Sequence, residues 1–341
     1  MNKLNTKIIV AAVVIAIAIV GAVAYIELRS SPKLQIATTT SLYDTGLLDS
    51  IASYYNDHYG VSLFFISAGT GQAIQDAKMG EADLLLVHAP SSENTFMQGD
   101  DMGVVRKIIA YNFFVIVGPA DDPAGIENLT PTAALQKIVQ AGNADNPNVK
   151  WVSRGDGSGT HIKENQLWKK AGFDMLQLRE NSLLLDNPWY REAGTGMGQT
   201  LTMANEMRAY TLSDIGTYLK FYTDGTIDLK ILIENHKDLL NVYSVMAVNP
   251  NNPTYYYPDL NFNKAVGFIN FLVSKQGQIL IGNFGVSDYG QPLFYPAVQL
   301  LEENTDPTMA SLIRDYAFLS YDNQKWECPP PYRASQDYFY S

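Results

Sequence analysis

The chain has 341 residues, 46% hydrophobic and 17% charged, which is enough apolar content for a large core and enough length for two domains. Its formal net charge is −11, from 24 basic and 35 acidic residues. Such a surface repels nucleic acid and anionic membrane, and so excludes both as partners. The single cysteine, Cys328, excludes an internal disulfide framework and any Cys-rich metal site.

Met1 to Lys7 carries two positive charges, Lys3 and Lys7, and Ile8 to Ile26 follows as 19 uncharged residues rich in Ile, Val and Ala. A membrane-spanning helix needs roughly 20 such residues, and flanking basic residues stay on the cytoplasmic side. Residues 1–30 are therefore expected to be a signal or anchor segment that places the remaining chain outside the cytoplasm. Ala22-Val23-Ala24 has the small-residue pattern of a signal-peptidase site. Cleavage there would give a secreted or periplasmic protein; retention would give a surface protein anchored by residues 8–26. The apolar run continues past Ala24 and no lipid-acceptor cysteine follows it, which favours the anchor.

From Leu34 onward strands and helices alternate. Lys33 to Thr39 reads as a short strand. Asp44 to Tyr59 has helical spacing, with Leu47, Leu48, Ile51, Tyr54 and Tyr55 recurring on one face. Val61 to Ser67 reads as a second strand, Gly71 to Lys78 opens a second helix, and Asp83 to Val87 reads as a buried strand. This order predicts a mainly parallel sheet covered on both faces. Asn112 to Gly118 is another apolar strand, followed by Pro119 and a polar loop. Trp151 to Ser153 begins a similar unit in a second region, and Val242 to Val248 returns the chain to the first. The expected fold is α/β with two lobes: 33–118 plus 243–298, and 119–242. Ligands of such folds bind in the cleft at strand C-termini. Residues 299–341, acidic and aromatic with a Pro329-Pro330-Pro331 stop, read as an appended extension without an assignable role.

Three segments lie where a strand ends and a helix begins: Thr38-Thr39-Thr40-Ser41, Gly69-Thr70-Gly71-Gln72, and the run Ser153 to Thr160 containing Arg154, Ser158 and Gly159. Each offers hydroxyls and free backbone N–H groups at the positive end of a helix, a geometry that binds anions. Glycine lets the backbone approach a ligand closely. Singly, each segment is an ordinary N-cap or turn. Three together, with one cation among them, predict a small-anion site. Gly155, Gly157 and Gly159 lack the dinucleotide spacing, and Asp156 breaks a Gly-x-Ser-x-Gly pattern around Ser158. His58, His88, His161 and His236 have no zinc-ligand spacing. An extracellular phosphoryl hydrolase would need a metal, or a general base beside a nucleophile; the sequence displays neither, so no enzyme, cofactor or metal is expected.

These residues resemble a known family, the tungstate-binding proteins of ABC transporters. The resemblance covers about residues 34–298. It rests on Ala-Thr-Thr-Thr-Ser-Leu-Tyr-Asp-Thr-Gly-Leu-Leu at 37–48, Gly-Thr-Gly-Gln-Ala at 69–73 and Ala-Asp-Leu-Leu-Leu-Val-His-Ala-Pro at 82–90. It continues through Tyr-Asn-Phe-Phe-Val-Ile-Val-Gly-Pro at 111–119, the Ser-Arg-Gly-Asp run to His161, and Tyr-Thr-Leu-Ser-Asp-Ile-Gly-Thr-Tyr at 210–218. The resemblance implies a two-lobed type II periplasmic-binding fold that closes as a monomer around one oxyanion, tungstate or the similar molybdate. It also implies a separately encoded permease and ATPase. Carried over by position, Thr40, Ser41 and Thr70 are the implied donors of the first lobe, and Arg154, Ser158 and Thr160 those of the second. Thr39, Gly71, His88 and Gly159 stand behind them. His88-Ala89-Pro90 occupies the turn where similar phosphate receptors place a proton-accepting aspartate, so His88 is expected to support a donor-only site. The anchor-like N-terminus and the extension after about residue 298 depart from the family pattern.

Removal of residues 1–30 is expected to leave a folded, soluble oxyanion binder. Size-exclusion chromatography and a ligand-induced thermal shift check this; a cleanly folded product without a shift for any oxyanion contradicts the receptor reading.

Overall fold

The computed structural model describes residues 33–333 except Tyr256. The apolar segment at 8–26 and residues 334–341 lie outside that range. Among the described residues no helix is long and apolar enough to cross a membrane.

Strand β1 (Lys33–Thr39) buries Leu34 and then every residue from Ile36 to Thr39. It runs directly into a short helix, α1 (Thr40–Asp44), whose N-terminus is capped by the Thr39 hydroxyl accepting from Leu42 N. Gly46, with φ 86°, turns the chain before α2 (Leu47–Tyr59). The single helix expected over 44–59 is therefore broken, because a left-handed residue cannot continue a right-handed helix. Strand β2 (Ser62–Ala68), α3 (Thr70–Lys78), β3 (Leu84–Val87) and α4 (Pro90–Asn94) follow. Both β2 and β3 pair in parallel with β1, so α1, α3 and the His88 turn emerge on the same edge of the sheet.

Strand β4 (Gly103–Gly118) is 16 residues long and leads into the second lobe. There α5 (Pro131–Asn143), β5 (Trp151–Ser153), α6 (Gly159–Lys170), α7 (Met175–Leu183) and β6 (Tyr190–Glu192) are followed by α8 (Met197–Met207), β7 (Thr211–Asp214), α9 (Ile215–Thr223) and β8 (Lys230–Ile233). Strand β9 (Leu240–Val248) returns antiparallel between β3 and β4. The expected mainly parallel sheet is in fact mixed. It is parallel around β1 and antiparallel where β4 and β9 carry the chain out of the first lobe and back.

Each lobe has its own apolar core. Leu34, Leu86, Val105, Ile109, Val245 and Phe268 belong to the first, and Phe114, Ile116, Leu135, Trp151, Trp168 and Leu212 to the second. The chain thus changes lobes inside β4, before Phe114, rather than at the boundary of 118 read from the sequence.

Helices α10 (Phe262–Val273), α11 (Lys275–Asn283) and α12 (Val286–Tyr289), then β10 (Tyr295–Pro296), complete the first lobe. The extension is not a loose appendage. It forms α13 (Val298–Glu303), α14 (Pro307–Ala317) and the hairpin β11 (Leu319–Tyr321) and β12 (Gln324–Trp326). Ala310, Ile313 and Ala317 pack on Ile108, Leu240 and Val242 of the crossing strands, while Leu319 and Cys328 fill the core beside Leu85 and Met246. Glu327 enters the same region: its carboxylate accepts from Ile108 N at 2.6 Å and Lys107 Nζ at 3.3 Å, and its carbonyl accepts from Arg106 Nη1 at 2.7 Å. Arg106 in turn holds Glu93 at 2.6 Å.

Deleting one partner of a buried, hydrogen-bonded ion pair costs about 3 kcal/mol or more. Glu327→Ala should lower stability by roughly that amount in urea unfolding; an unchanged midpoint would mean that this segment contributes nothing to the first lobe.

Candidate functional site

On the first lobe, Thr39, Ser41 and Thr70 are fully buried and Thr40 is half-buried. Helix α3 starts at Gly69, which supplies no side-chain cap, so its leading N–H groups remain available. The Thr70 hydroxyl oxygen is buried without a hydrogen-bond partner. A buried hydroxyl left unpaired costs on the order of 1–3 kcal/mol, so it marks a place built for something else. Gly71 is exposed and open space surrounds its Cβ position; no close approach there requires glycine.

On the second lobe, Gly155 and Gly157 have φ of 67° and 70°, and these left-handed turns fold the Ser153–Thr160 loop back on itself. Arg154 is buried. Its Nε donates to Asp156 at 3.0 Å and to the Thr195 carbonyl at 3.4 Å, Nη1 to Thr160 Oγ1 at 3.3 Å, and Nη2 to Thr40 Oγ1 across the cleft. A guanidinium has five N–H groups; one on each terminal nitrogen is left without an acceptor among the described residues. Ser158 and Thr160 are fully buried, and Ser158 caps α6 by accepting from His161 N at 3.3 Å. Glu164, one turn into α6, holds the loop from behind. It accepts from Trp151 Nε1, Trp168 Nε1, Ser153 Oγ and Arg154 N at 2.8, 3.0, 2.9 and 3.3 Å. Burial pushes its pKa up to about 7 although all four donors pull it down.

The lobes meet at these residues. A Cβ on Gly159 would lie 2.6 Å from the His88 ring, and one on Gly69 would lie 3.3 Å from the Asp156 carbonyl. Lys220 Nζ donates to the Asp44 carbonyl at 2.7 Å. Beside this contact a cavity of about 440 Å³ opens, lined among others by Thr40, Asp44, Thr195, Gln199 and Lys220. The six donors and His88 expected from sequence all lie at this junction of the lobes.

The hydroxyl directions have a common cause. The oxygens of Thr40 and Thr160 accept from Arg154, and that of Ser158 accepts from a backbone N–H. Each hydroxyl therefore keeps its own hydrogen for another acceptor. Ser41 differs: its Oγ lies 3.2 Å from His88 Nε2. The sequence displayed no base beside a nucleophile, yet the fold brings these two together from 47 residues apart.

Burial lowers the pKa of Arg154, opposed by Asp156, Asp214 and Asp44. Burial, with Arg154 and Lys163, pushes His88 down to about 4 despite its bond to Asn241. Among the described residues no three His, Cys, Asp or Glu side chains converge as a metal site.

Sequence reasoning missed Thr195, Lys220, Glu164 and the Asn112–Asn241 pair behind His88. One signal was present: Gly194-Thr195-Gly196 repeats the Gly69-Thr70-Gly71 pattern immediately before another helix, α8, which also lacks a side-chain cap.

The profile of the PBP superfamily domain matches residues 25–276. An ABC transporter anion-binding protein described from Haloferax volcanii is 42% identical over 281 residues, 81% of this chain and 74% of its own. The tungstate-binding protein TupA of Peptoclostridium acidaminophilum is 38% identical over 304 residues, 85% of this chain and 97% of its own. The solved tungstate-binding protein TupA of Desulfovibrio alaskensis G20 is 40% identical, with 78% of this chain and 98% of that chain covered and a TM-score of 0.62.

Glu164→Gln replaces one of two acceptor oxygens by a donor facing donors. It should cost about 1–3 kcal/mol and perturb the fluorescence of Trp151 and Trp168. Unchanged stability and emission would show that Glu164 does not hold the loop.

Proposed function

The chain belongs to the PBP superfamily, in the family of the TupA tungstate-binding proteins, and we propose that it captures tungstate between its lobes outside the cytoplasm and delivers it to an ABC permease coupled to a separate ATPase. One observation supports this reading: donors without protein acceptors are found on both lobes. They are the two remaining N–H groups of Arg154 and the unpartnered Thr70 hydroxyl. The hydrogens of Thr40, Ser158 and Thr160 and the uncapped start of α3 join them. A deprotonated tetrahedral dianion presents only acceptors and fits such a set. Thr40, Ser41 and Thr70 then hold it from the first lobe and Arg154, Ser158 and Thr160 from the second, with Thr39, His88 and Gly159 behind. Molybdate has the same charge and nearly the same size; the names of the relatives favour tungstate. The receptor acts as a monomer, tethered or released according to the fate of residues 1–30.

A second reading has one observation in its favour. Ser41, His88 and Asn241 are connected in the order of a nucleophile, a base and an orienting group. Ser41 is fully buried and His88 is 2% exposed, which denies an ester access, and a base titrating near pH 4 is poorly matched to neutral pH.

Calorimetric titration with tungstate, molybdate, sulfate and phosphate, together with a turnover assay on a phosphate ester, tests both. Tungstate should bind most tightly and no phosphate ester should turn over. A charge-assisted bond contributes roughly 1.5–3 kcal/mol, so Arg154→Ala should weaken tungstate binding about tenfold or more. Arg154→Lys should weaken it as well, through loss of the forked geometry. No tungstate binding by the wild type, or unaltered affinity in Arg154→Ala, contradicts the reading.

A further inference from the structure

The direction of every hydrogen bond behind Ser41 is set by one backbone carbonyl. Asn112 Nδ2 lies 3.1 Å from the Leu293 carbonyl, which can only accept. Asn112 therefore turns its oxygen the other way, where it accepts from Asn241 Nδ2 at 2.9 Å; that nitrogen also donates to Tyr243 OH at 2.8 Å. Asn241 must then present its oxygen to His88 Nδ1, 2.8 Å away. So Nδ1 of His88 carries a hydrogen, and in the neutral ring Nε2 is a bare acceptor.

This has a consequence for Ser41. Its Oγ, 3.2 Å from Nε2, must donate its single hydrogen to His88. Thr39 Oγ1, at 3.3 Å, accepts from Leu42 N and can donate its own hydrogen to Ser41. With His88 neutral, then, the Ser41 side chain offers an oxyanion only a lone pair, unlike Thr40, Ser158 and Thr160. With a proton on Nε2 the bond reverses: His88 donates to Ser41, and the Ser41 hydrogen is free to turn toward the ligand.

We propose that His88 is a positioning residue that takes up one proton from solvent when a fully deprotonated oxyanion is captured, converting Ser41 from acceptor to donor. The inference rests on the receptor reading above. The proton ends on Nε2, and the site gains one positive charge against the two negative charges of the ligand. A hydrogen phosphate ion brings its own proton, which it can give to the Ser41 lone pair, so its capture needs no uptake.

The surroundings make the switch depend on the ligand. His88 is 2% exposed, stacked on Tyr243 at 5.0 Å, and covered by Gly159. The groups facing it are Ser41 on α1, Asn112 and Phe114 on β4, Asn241 and Tyr243 on β9, and Arg154 and Lys163 from the second lobe. Burial keeps Tyr243 neutral by holding its pKa well above the usual value. Arg154 and Lys163 both disfavour a charged ring, and His88 sits near 4 with no anion beside it. A dianion one hydroxyl away opposes both cations and raises it. Lys163, lowered to about 7 by burial, and Glu164, raised to about 7 by burial, are other groups that could take up a proton there, so the test must separate them from His88.

The test is calorimetric titration of the intact chain with sodium tungstate near pH 7.5, in two buffers of different ionisation enthalpy. The difference in apparent heat gives the protons taken up per ion bound. The expected value approaches one for tungstate and zero for phosphate, if phosphate binds. The sign follows from linkage: the pKa is low in the free protein and raised in the complex, so between the two values affinity falls as pH rises, by up to about tenfold per unit. His88→Gln places an amide N–H where Nε2 stands, a donor that does not titrate; tungstate binding should persist with uptake near zero and a flattened pH profile. Tungstate binding by the wild type without uptake overturns this inference and leaves the receptor reading intact. Uptake that persists in His88→Gln places the proton on a group other than His88, such as Lys163 or Glu164, and also overturns it. Failure of the wild type to bind tungstate overturns the receptor reading, and this inference with it.

Discussion

A buried guanidinium constrains the rest of this structure. Arg154 cannot shed its proton to escape the cost of burial, so the fold must surround it with acceptors. Its own lobe supplies Asp156, the Thr195 carbonyl and Thr160. None of these reaches every N–H, and the other lobe supplies one more acceptor, Thr40. One contact between the lobes is thus made by the buried cation itself, beside those of Lys220 with Asp44 and of Gly159 with His88. At the proposed site an anion would meet donors already held in place. Such preorganisation lowers the ordering cost of binding.

The site also answers a problem set by the whole chain. With a net charge of −11, the long-range field repels the proposed ligand, and Asp156 cancels much of Arg154 locally. Attraction must then come from short-range dipoles: oriented hydroxyls and helix N-termini. Dipoles of this kind discriminate by direction. They favour an ion presenting acceptors on all sides and disfavour one whose own proton meets another hydrogen. A charge-rich pocket would bind many anions; one made from directed neutral donors is more selective.

Much of this was legible in the sequence because it is local. Thr39 to Ser41, Gly69 and Thr70, and Arg154 to Thr160 are contiguous runs at strand-to-helix junctions, and junction chemistry is written in neighbouring residues. Relations between distant segments were not legible. Glu164 looks like an ordinary helical glutamate until Trp151 and Trp168 close on it. Asn112 and Asn241 sit in apolar strands as isolated polar residues; only the antiparallel register of β4 and β9 makes them cross-strand partners. The mixed sheet escaped for the same reason, since alternating strands and helices suggest parallel order and do not disclose which strands carry the return. The extension misled because acidic, aromatic and proline-rich composition suggests an appendage. Ala310, Ile313 and Ala317 do recur at helical spacing, but Leu319, Glu327 and Cys328 are buried without a period.

The crossing strands do more than join the lobes. The Asn112–Asn241 pair lies where β4 and β9 pass from one core to the other, a few residues from Phe114 and Leu240. Lys163 of the second lobe donates to the Leu240 carbonyl at 2.9 Å, and its ammonium lies 4.2 Å from the ring centroid of Tyr316 in α14. The extension therefore braces the first-lobe side of the same crossing that carries the relay to His88. Any rotation of one lobe against the other has to bend β4 and β9 near this pair. Gly159, from the second lobe, is pressed against His88 of the first. The relay is therefore rooted in the first lobe and the hinge, while the cations that disfavour a charged His88, Arg154 and Lys163, arrive with the second. In the proposed switch, the joined lobes bring repulsion toward a protonated His88, and a bound dianion would offset it. Lobe position, ligand charge and the state of one imidazole are thereby linked through contacts a few ångströms long.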